Sequence, residues 1–304
     1  MTNGSIYLVA TPLGNLEDIT LRAIRILQEV DLVACEDTRR TGRLLQHLQI
    51  SKPLVSCYDQ NEARRAKQLA ARAASGESIA LVCDAGTPGI ADPGYRVVQA
   101  AIEAGVTVVP LPGPNAAITA LAASGLPTHE FSFKGFLPAR GNKRRSAIRA
   151  IRQSGRTTVF YESPHRILRT LGDLGEILGD RRVVAVRELS KMFEEILRGT
   201  ATSIREELEG RPAVKGEFVL LIGPAENAEE LSVAALEGTA ERLAELGAAA
   251  TDALELAAAE CGISPAEARR LLRRQAKSDR SATASAPTEP VESSPGGSRD
   301  TDEQ

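Results

Sequence analysis

The chain has 304 residues, a formal net charge of −3, 42% hydrophobic and 25% charged residues, and 3% aromatics with no tryptophan. No apolar run approaches the roughly 20 residues needed to span a bilayer. No basic-then-apolar leader opens the chain, and Cys35, Cys57, Cys83 and Cys261 form neither a CxxC pair nor a zinc-ligand cluster. These features exclude a secreted disulfide scaffold and predict a cytoplasmic enzyme or binding protein with reduced thiols and no metal.

From the N-terminus, short runs rich in β-branched residues alternate with helical spacings. Strands are predicted at residues 6–10, 31–35, 53–56, 79–83 and 106–111, and helices at 21–30, 41–48, 62–74, 97–104 and 116–123. This alternation predicts a parallel sheet covered on both faces. Gly125-Leu126-Pro127-Thr128 breaks the pattern and marks a first domain boundary. A second α/β set follows, with strands near 131–134, 157–161, 183–187, 196–198 and 217–222 and helices near 143–152, 165–178 and 203–208. Strand follows strand around 183–198, which predicts a mixed sheet. Residues 224–230 read as a linker, and 240–246, 252–259 and 265–276 as three small helices, the last with Ser264 as N-cap and Pro265 in its first turn. From Ser278 the chain lacks the apolar content to fold. The expected organisation is therefore an N-terminal α/β domain at 1–124, a second at 125–224, a helical domain at 235–277 and a disordered tail at 278–304.

Several loops stand out against this frame. Thr11-Pro12-Leu13-Gly14-Asn15 follows the first strand, where open α/β sheets bind ligands, although a plain turn has the same composition. Residues 83–94, CDAGTPGIADPG, carry three Gly, two Pro and two Asp after the best-defined strand, more than a simple turn requires. Residues 110–117, PLPGPNAA, present a helix start with Asn115 as its cap. In FYESPHR (160–166), Ser163 reads as an N-cap and Pro164 as first-turn proline, with Glu162 and His165 near the strand end. RELSKMFEE (187–195) mixes both charges and reads equally as a salt-bridged loop. Finally, Arg140, Lys143, Arg144, Arg145, Arg149, Arg152 and Arg156 occur in a stretch that no acid interrupts between residues 139 and 161. That run suits phosphate, and the acidic tail offsets it in the net count.

In order, ATPLGNLEDIT (10–20), EDTRRTGRLL (36–45), CDAGTPGIADPG (83–94), PLPGPNAA (110–117), GFLP (135–138), YESPHRI (161–167), RELSKMFEE (187–195) and KGEFVLLI (215–222) form a set. Over about residues 5–224 it resembles the tetrapyrrole methylase (class III methyltransferase) family, in the branch that methylates the ribose 2′-oxygen of cytidine in small-subunit ribosomal RNA, in the decoding region. The helical piece near 240–276 is similar to that branch's helix-turn-helix-like appendage. The resemblance implies two α/β domains holding S-adenosylmethionine in the cleft between them, and a homodimer that acts on ribosomal RNA or the assembled small subunit, with no membrane or DNA partner. Carried over by motif, Pro12, Leu13, Gly14, Asp84, Gly86, Thr87, Ile90, Ala91, Asn115 and Ala116 meet the cofactor, and Tyr161, Glu162 and Ser163 close it from the second domain. Relatives that methylate tetrapyrroles typically carry GxGPGD in the first loop; here it reads ATPLGN, which favours RNA.

A ribose hydroxyl attacking a sulfonium methyl needs alignment above all, and a base adds to it. Glu162, His165, Lys191 and Asp37 are candidate bases, unranked by sequence. Arg39, Arg40, Arg140, Lys143, Arg144, Arg145 and Arg149 are candidate phosphate contacts. A tetrapyrrole C-methyltransferase on the same fold and a non-catalytic ribosome-binding factor are the alternatives; a dinucleotide oxidoreductase is disfavoured because GxGxxG is missing.

Overall fold

The computed structural model describes residues 4–152, 154–225, 236–241, 250–260, 265 and 268–273. Residues 1–226 form one compact unit and 227–304 a second.

The first sheet contains β1 (Ser5–Leu8), β2 (Leu32–Cys35), β3 (Leu54–Ser56), β4 (Ile79–Leu81) and β5 (Thr107–Pro110). Every pair is parallel and the order is β3-β2-β4-β1-β5. Four helices cover it: α1 (Leu21–Glu29), α2 (Thr38–His47), α3 (Glu62–Ala74) and α4 (Tyr95–Glu103). Side chains alternate across the pleat. Ile79 and Leu81 pack with Leu69, Ala73, Val97 and Ala101 on one face, while Ala80 and Val82 pack with Leu27 and Leu45 on the other. Burial on both faces is why β2 and β4 are apolar at every position. Helix starts follow local chemistry: the Ala23 N–H donates to Thr20 Oγ1 and the Arg39 N–H to an Asp37 carboxylate oxygen.

The next helix, α5 (Ala116–Ser124), ends at Gly125 in the left-handed region, at φ 77°. Its sequence, AAITALAAS, has no charged face, so it suits a position between apolar surfaces. Ala117, Ala120 and Leu121 pack against Val159, Val184, Val219 and Leu221 of the second sheet. The helix follows the first sheet in the chain but gives its apolar surface to the second.

That second sheet contains β6 (Phe131–Phe136), β7 (Thr157–Glu162), β8 (Arg182–Arg187), β9 (Glu195–Thr200) and β10 (Phe218–Ile222), in the order β6-β7-β10-β8-β9. Only β6 and β7 pair in parallel, so the sheet is mixed, as its strand-after-strand sequence predicts. Its other face is covered by α6 (Gly141–Ala150), α7 (Ile167–Leu178) and α8 (Ala201–Glu209), around Phe160, Leu171, Leu174, Ile204 and Leu220. Helix α7 begins at Ile167 with Arg166 in the cap position. The expected helix start at Ser163 and Pro164 is corrected: the Ser163 carbonyl accepts from the Arg166 and Ile167 N–H groups, forming a turn ahead of the helix.

In the second unit, the helix Ala250–Glu260 contains the expected 252–259 segment, and Leu236, Ala257, Ala258, Ala268 and Leu271 cluster. The expected helices at 240–246 and 265–276 lie partly outside the described residues. So does the 224–230 linker, while Ser264, Cys261 and the tail from Ser278 lie wholly outside them. Among the described residues, no helix is long and apolar enough to cross a membrane.

Candidate active site

The loops singled out in the sequence leave the carboxyl ends of β1, β4 and β5, and they are tied to one another. Thr11 and Gly86 exchange two backbone hydrogen bonds of 2.9 Å each. Thr11 Oγ1 donates to the Cys83 carbonyl at 3.0 Å. Thr87 Oγ1 donates to the Pro114 carbonyl at 3.0 Å and accepts from Asn115 Nδ2 at 3.3 Å. Asn115 Oδ1 accepts from the Ile118 N–H and so starts α5. The loop after β2 joins through Asp84, whose carboxylate accepts from the Asp37 N–H at 3.2 Å and pairs with Arg40 at 3.1 Å. From α3, Glu62 reaches the far end of the 83–94 loop, accepting from the Gly94 and Arg96 N–H groups at 2.8 and 3.0 Å.

These loops face β7 and β10 across a cleft of about 650 Å³. Of the residues expected to meet the cofactor, Leu13, Asp84, Gly86, Thr87, Ile90, Ala91, Asn115, Ala116, Tyr161, Glu162 and Ser163 line it. Pro12 and Gly14 do not. Pro12 is buried behind Leu13 in the chain. Gly14 lies under Lys191: a Cβ there would come within 2.6 Å of Lys191 Cγ, and its φ of 140° is strained for any side chain. Gly86, at φ 83°, leaves room that a Cβ would close, 3.3 Å from Leu13 and 3.7 Å from the Pro114 carbonyl. Tyr161 projects from β7 between Phe133 and Phe136, with edge-on ring centroids at 5.1 and 5.6 Å. Burial, opposed by a backbone hydrogen bond at Ala117, pushes its phenol above the ordinary range.

The candidate bases fall into different settings. Glu162 is 2% exposed, and its carboxylate accepts from Arg166 Nε at 2.8 Å, the Ser163 N–H at 2.7 Å and Thr170 Oγ1 at 2.7 Å. Those bonds occupy it as a structural anion. Asp37 caps α2 and does not line the cleft; the Arg39 N–H on its carboxylate holds it below the usual range. Lys191 lines the cleft, but its ammonium is bound to Glu188 at 3.0 Å and Glu217 at 2.9 Å. Burial pushes that amine down, the two carboxylates push it up, and the net shift is upward, away from a basic free amine. His165 lines the cleft and is exposed. Lys191 and its neighbours also bind the two lobes together: Ser190 Oγ hydrogen-bonds Asp18, and the Lys191 stem covers Gly14.

The basic residues divide too. Arg40 stands at the cleft rim on Asp84, and Arg39 is exposed beside it in α2. In α6, Arg144 is buried and pairs with Asp173 at 2.7 Å, while Arg145 pairs with Asp173 at 2.8 Å and Glu176 at 2.5 Å. The acids missing from the basic run are supplied by α7. Arg140, Lys143 and Arg149 are exposed and make no ion pair among the described residues.

Five further polar or aromatic cleft residues were not singled out from sequence: Glu36, Asp92, Phe136, Glu217 and Phe218. Each lies inside a motif already noted, so motif membership was the available signal. Burial and the neighbouring Asp84 and Asp92 raise Glu36 above the usual range. Burial, helped by Asp84 and Asp59 against a hydrogen bond from Cys83, pushes Asp92 up to about 6. Cys83 is itself raised by burial, and Cys57 reaches about 11 for the same reason. Both thiols therefore stay protonated and unreactive near neutrality.

A family model described as Tetrapyrrole (Corrin/Porphyrin) Methylases matches residues 5–205. The Ribosomal RNA small subunit methyltransferase I of Halalkalibacterium halodurans is 51% identical over 229 residues, covering 74% of this chain and 78% of its own. The protein of the same name from Escherichia coli O157:H7 is 50% identical over 240 residues, covering 77% and 83%. Among solved structures, a diphthine synthase superposes with a TM-score of 0.56 at 16% identity, over 73% of this chain and 90% of the other. A conserved hypothetical protein from Aeropyrum pernix K1 gives 0.59 at 19%, over 76% and 88%. These two likenesses concern the fold alone. On the family match and the identity of half the aligned residues, this chain belongs to the tetrapyrrole methylase family, in the branch of the ribosomal RNA small subunit methyltransferases I.

Proposed function

We propose that this protein is a ribosomal RNA methyltransferase that uses S-adenosylmethionine to methylate the ribose 2′-hydroxyl of a cytidine in the decoding region of small-subunit RNA. The observation that carries this reading is the cleft: loops from β1, β4 and β5, cross-bonded through Thr11, Gly86, Thr87 and Asn115, in a chain half identical to named small-subunit RNA methyltransferases.

The cleft residues fit the donor. Glu36, Asp84 and Asp92 bring negative charge to one wall, which suits a sulfonium cation. Gly86 leaves open the space a side chain would fill, and Tyr161 offers an aromatic floor. Leu13, Gly86, Thr87, Ile90, Ala91, Asn115, Ala116, Tyr161 and Ser163 would hold the donor, and bound S-adenosylmethionine would supply an activated methyl group. The chain's own work is then to align the acceptor oxygen and exclude water, which contributes up to about 7–11 kcal/mol to such reactions. The cross-bonded loops hold one wall of the cleft rigid. The Lys191 strap over Gly14 fixes the other wall to it.

Arg39, Arg40, Arg140, Lys143 and Arg149 are proposed to attract RNA phosphate. Helix α6 starts five residues after Phe136, which lines the cleft. Arg144 and Arg145 spend their charge on Asp173 and Glu176, so they hold α6 against α7. The domain limits 1–124, 125–224, 235–277 and 278–304 and the homodimer belong to the same proposal.

The test is mass mapping of 2′-O-methyl groups on small-subunit RNA from cells lacking this protein, with restoration by the purified enzyme and labelled S-adenosylmethionine. Loss and return of one cytidine 2′-O-methyl supports the assignment. An unchanged RNA methylation map, or methylation of a porphyrinogen instead, overturns it.

A further inference from the structure

The carboxylates around the cleft are mostly committed elsewhere. Glu162 is bound by Arg166, Ser163 and Thr170, Asp84 by Arg40 and the Asp37 N–H, and Glu217 by Lys191. Glu36 and Asp92 line the cleft, with no ion pair to either among the described residues.

Asp92 has the more telling position. It lies where the two lobes meet. Ala91, just before it, has a left-handed φ of 63°, and its Cβ is 3.8 Å from the place a Cβ on Gly135 of β6 would occupy. Just after it, the Pro93 carbonyl accepts from the Gly89 N–H at 3.1 Å, and the Gly94 N–H is held by Glu62. The backbone just after Asp92 is held by these two bonds, and the Asp92 side chain lines the cleft beside it. The Cys83 thiol, which donates to the Ala85 and Gly86 carbonyls at 3.3 Å, lies behind this loop, and Tyr161 on β7 is close enough to sense the charge of Asp92.

We propose that Asp92 is the catalytic base of the reaction, an assignment that rests on the function proposed above. As the C–O bond forms between the ribose 2′-oxygen and the methyl carbon, the C–S bond breaks with its electron pair left on sulfur. The hydroxyl proton passes to the Asp92 carboxylate. The products are a methyl ether, a neutral sulfide and a protonated Asp92, which returns its proton to water. A general base of this kind contributes on the order of 10²–10⁴ in rate, most when its pKa lies near the working pH. The groups that set its titration are Cys83 behind it, Asp84, Asp59 and Glu36 as like charges, and Tyr161 opposite, with Arg40 engaged by Asp84. Because the carboxylate is the active form, kcat/KM rises with pH through about 6 and levels above it.

The test uses the full chain, S-adenosylmethionine and small ribosomal subunits lacking the modification. Asp92→Asn is expected to lower kcat by about 10²–10⁴ and abolish the limb near pH 6. Its affinity for S-adenosylmethionine by calorimetry stays within about threefold, and Asp92→Glu recovers part of the rate. A ¹³C-carboxyl NMR titration of the protein alone supplies a readout independent of transfer: a resonance moving near pH 6 in the unsubstituted chain and missing from Asp92→Asn. Wild-type turnover with the limb intact in Asp92→Asn overturns the assignment, as does loss of the limb in Glu36→Gln but not in Asp92→Asn. If the unsubstituted enzyme methylates no small-subunit RNA while the titration near 6 is present, the proposed function itself falls, and the base with it.

Discussion

Replacing Glu162 by Gln separates a structural carboxylate from a chemical one. Its side chain is fully buried, and Arg166 approaches Oε1 at 2.6 Å with its own side chain 23% exposed. Gln keeps the shape and one acceptor but removes the charge. It also places an amide donor where Oε2 accepted from Thr170 or where Oε1 served both Arg166 and Ser163. Breaking a fully buried pair from one side costs about 3–5 kcal/mol. Partial solvation of Arg166 reduces that to about 2–4 kcal/mol. For a unit of this size each kcal/mol moves Tm by about 2–4 °C, so Glu162→Gln should melt about 4–16 °C below the unsubstituted chain. Urea denaturation at pH 7.5 with an unchanged m-value measures the free energy, and methyl transfer per folded molecule, read well below the melt, should fall less than about tenfold. A stability change under about 0.5 kcal/mol would refute the buried-anion reasoning. So would a folded variant whose transfer drops by the about 10²-fold or more expected of a lost base.

Other perturbations probe the loops, the electrostatics and the RNA surface. Glu62→Ala removes two charge-assisted bonds to Gly94 and Arg96; faster amide exchange at both and about tenfold weaker S-adenosylmethionine binding are expected, and unchanged exchange would contradict the anchoring role. Asp92 is raised from 3.8 to about 6 on folding, so the native state holds the extra proton between those values. Stability contributed by that proton is present at low pH and lost as pH rises from about 4 through 6. Asp92→Asn should therefore be more stable than the parent at pH 7.5 by about 1–2 kcal/mol after solvent screening, with little difference at pH 3.5; equal melting curves at both pH values would exclude the shift. Neutralising Arg140, Lys143 and Arg149 together should weaken RNA binding and reduce the salt slope by about 2–3, leaving stability near that of the parent. Arg144→Gln, by contrast, should show its effect in the melt, because its guanidinium is bound to Asp173.

Much of the architecture was legible in the chain. Ile79, Ala80 and Leu81 are all apolar, and a run of that kind after a helical segment signals a strand covered on both faces. The strand-after-strand stretch from β8 to β9 signalled the mixed sheet. The segments that meet at the cleft were legible as well, because glycine and proline in βα loops reflect backbone demands that are local in sequence. The start of α7 was misplaced by a few residues, since a Ser-Pro pair satisfies a turn as readily as a helix cap.

What the sequence determined by itself was local: the order and type of the elements, the loops with special backbone, and the set of motifs that marks the family. Which carboxylate is buried under an arginine and which looks into the cleft was decided only by tertiary structure. Asp37 finds its capping partner Arg39 two residues on, whereas Glu162 is buried against Thr170 and Asp92 lines the cleft only once the loops and sheets pack together. The basic run was likewise free of acids along the chain and matched by Asp173 and Glu176 in space. A side chain's charge acts over a few ångströms in three dimensions, and residues about 30 apart in sequence become its nearest neighbours only when sheets and helices pack.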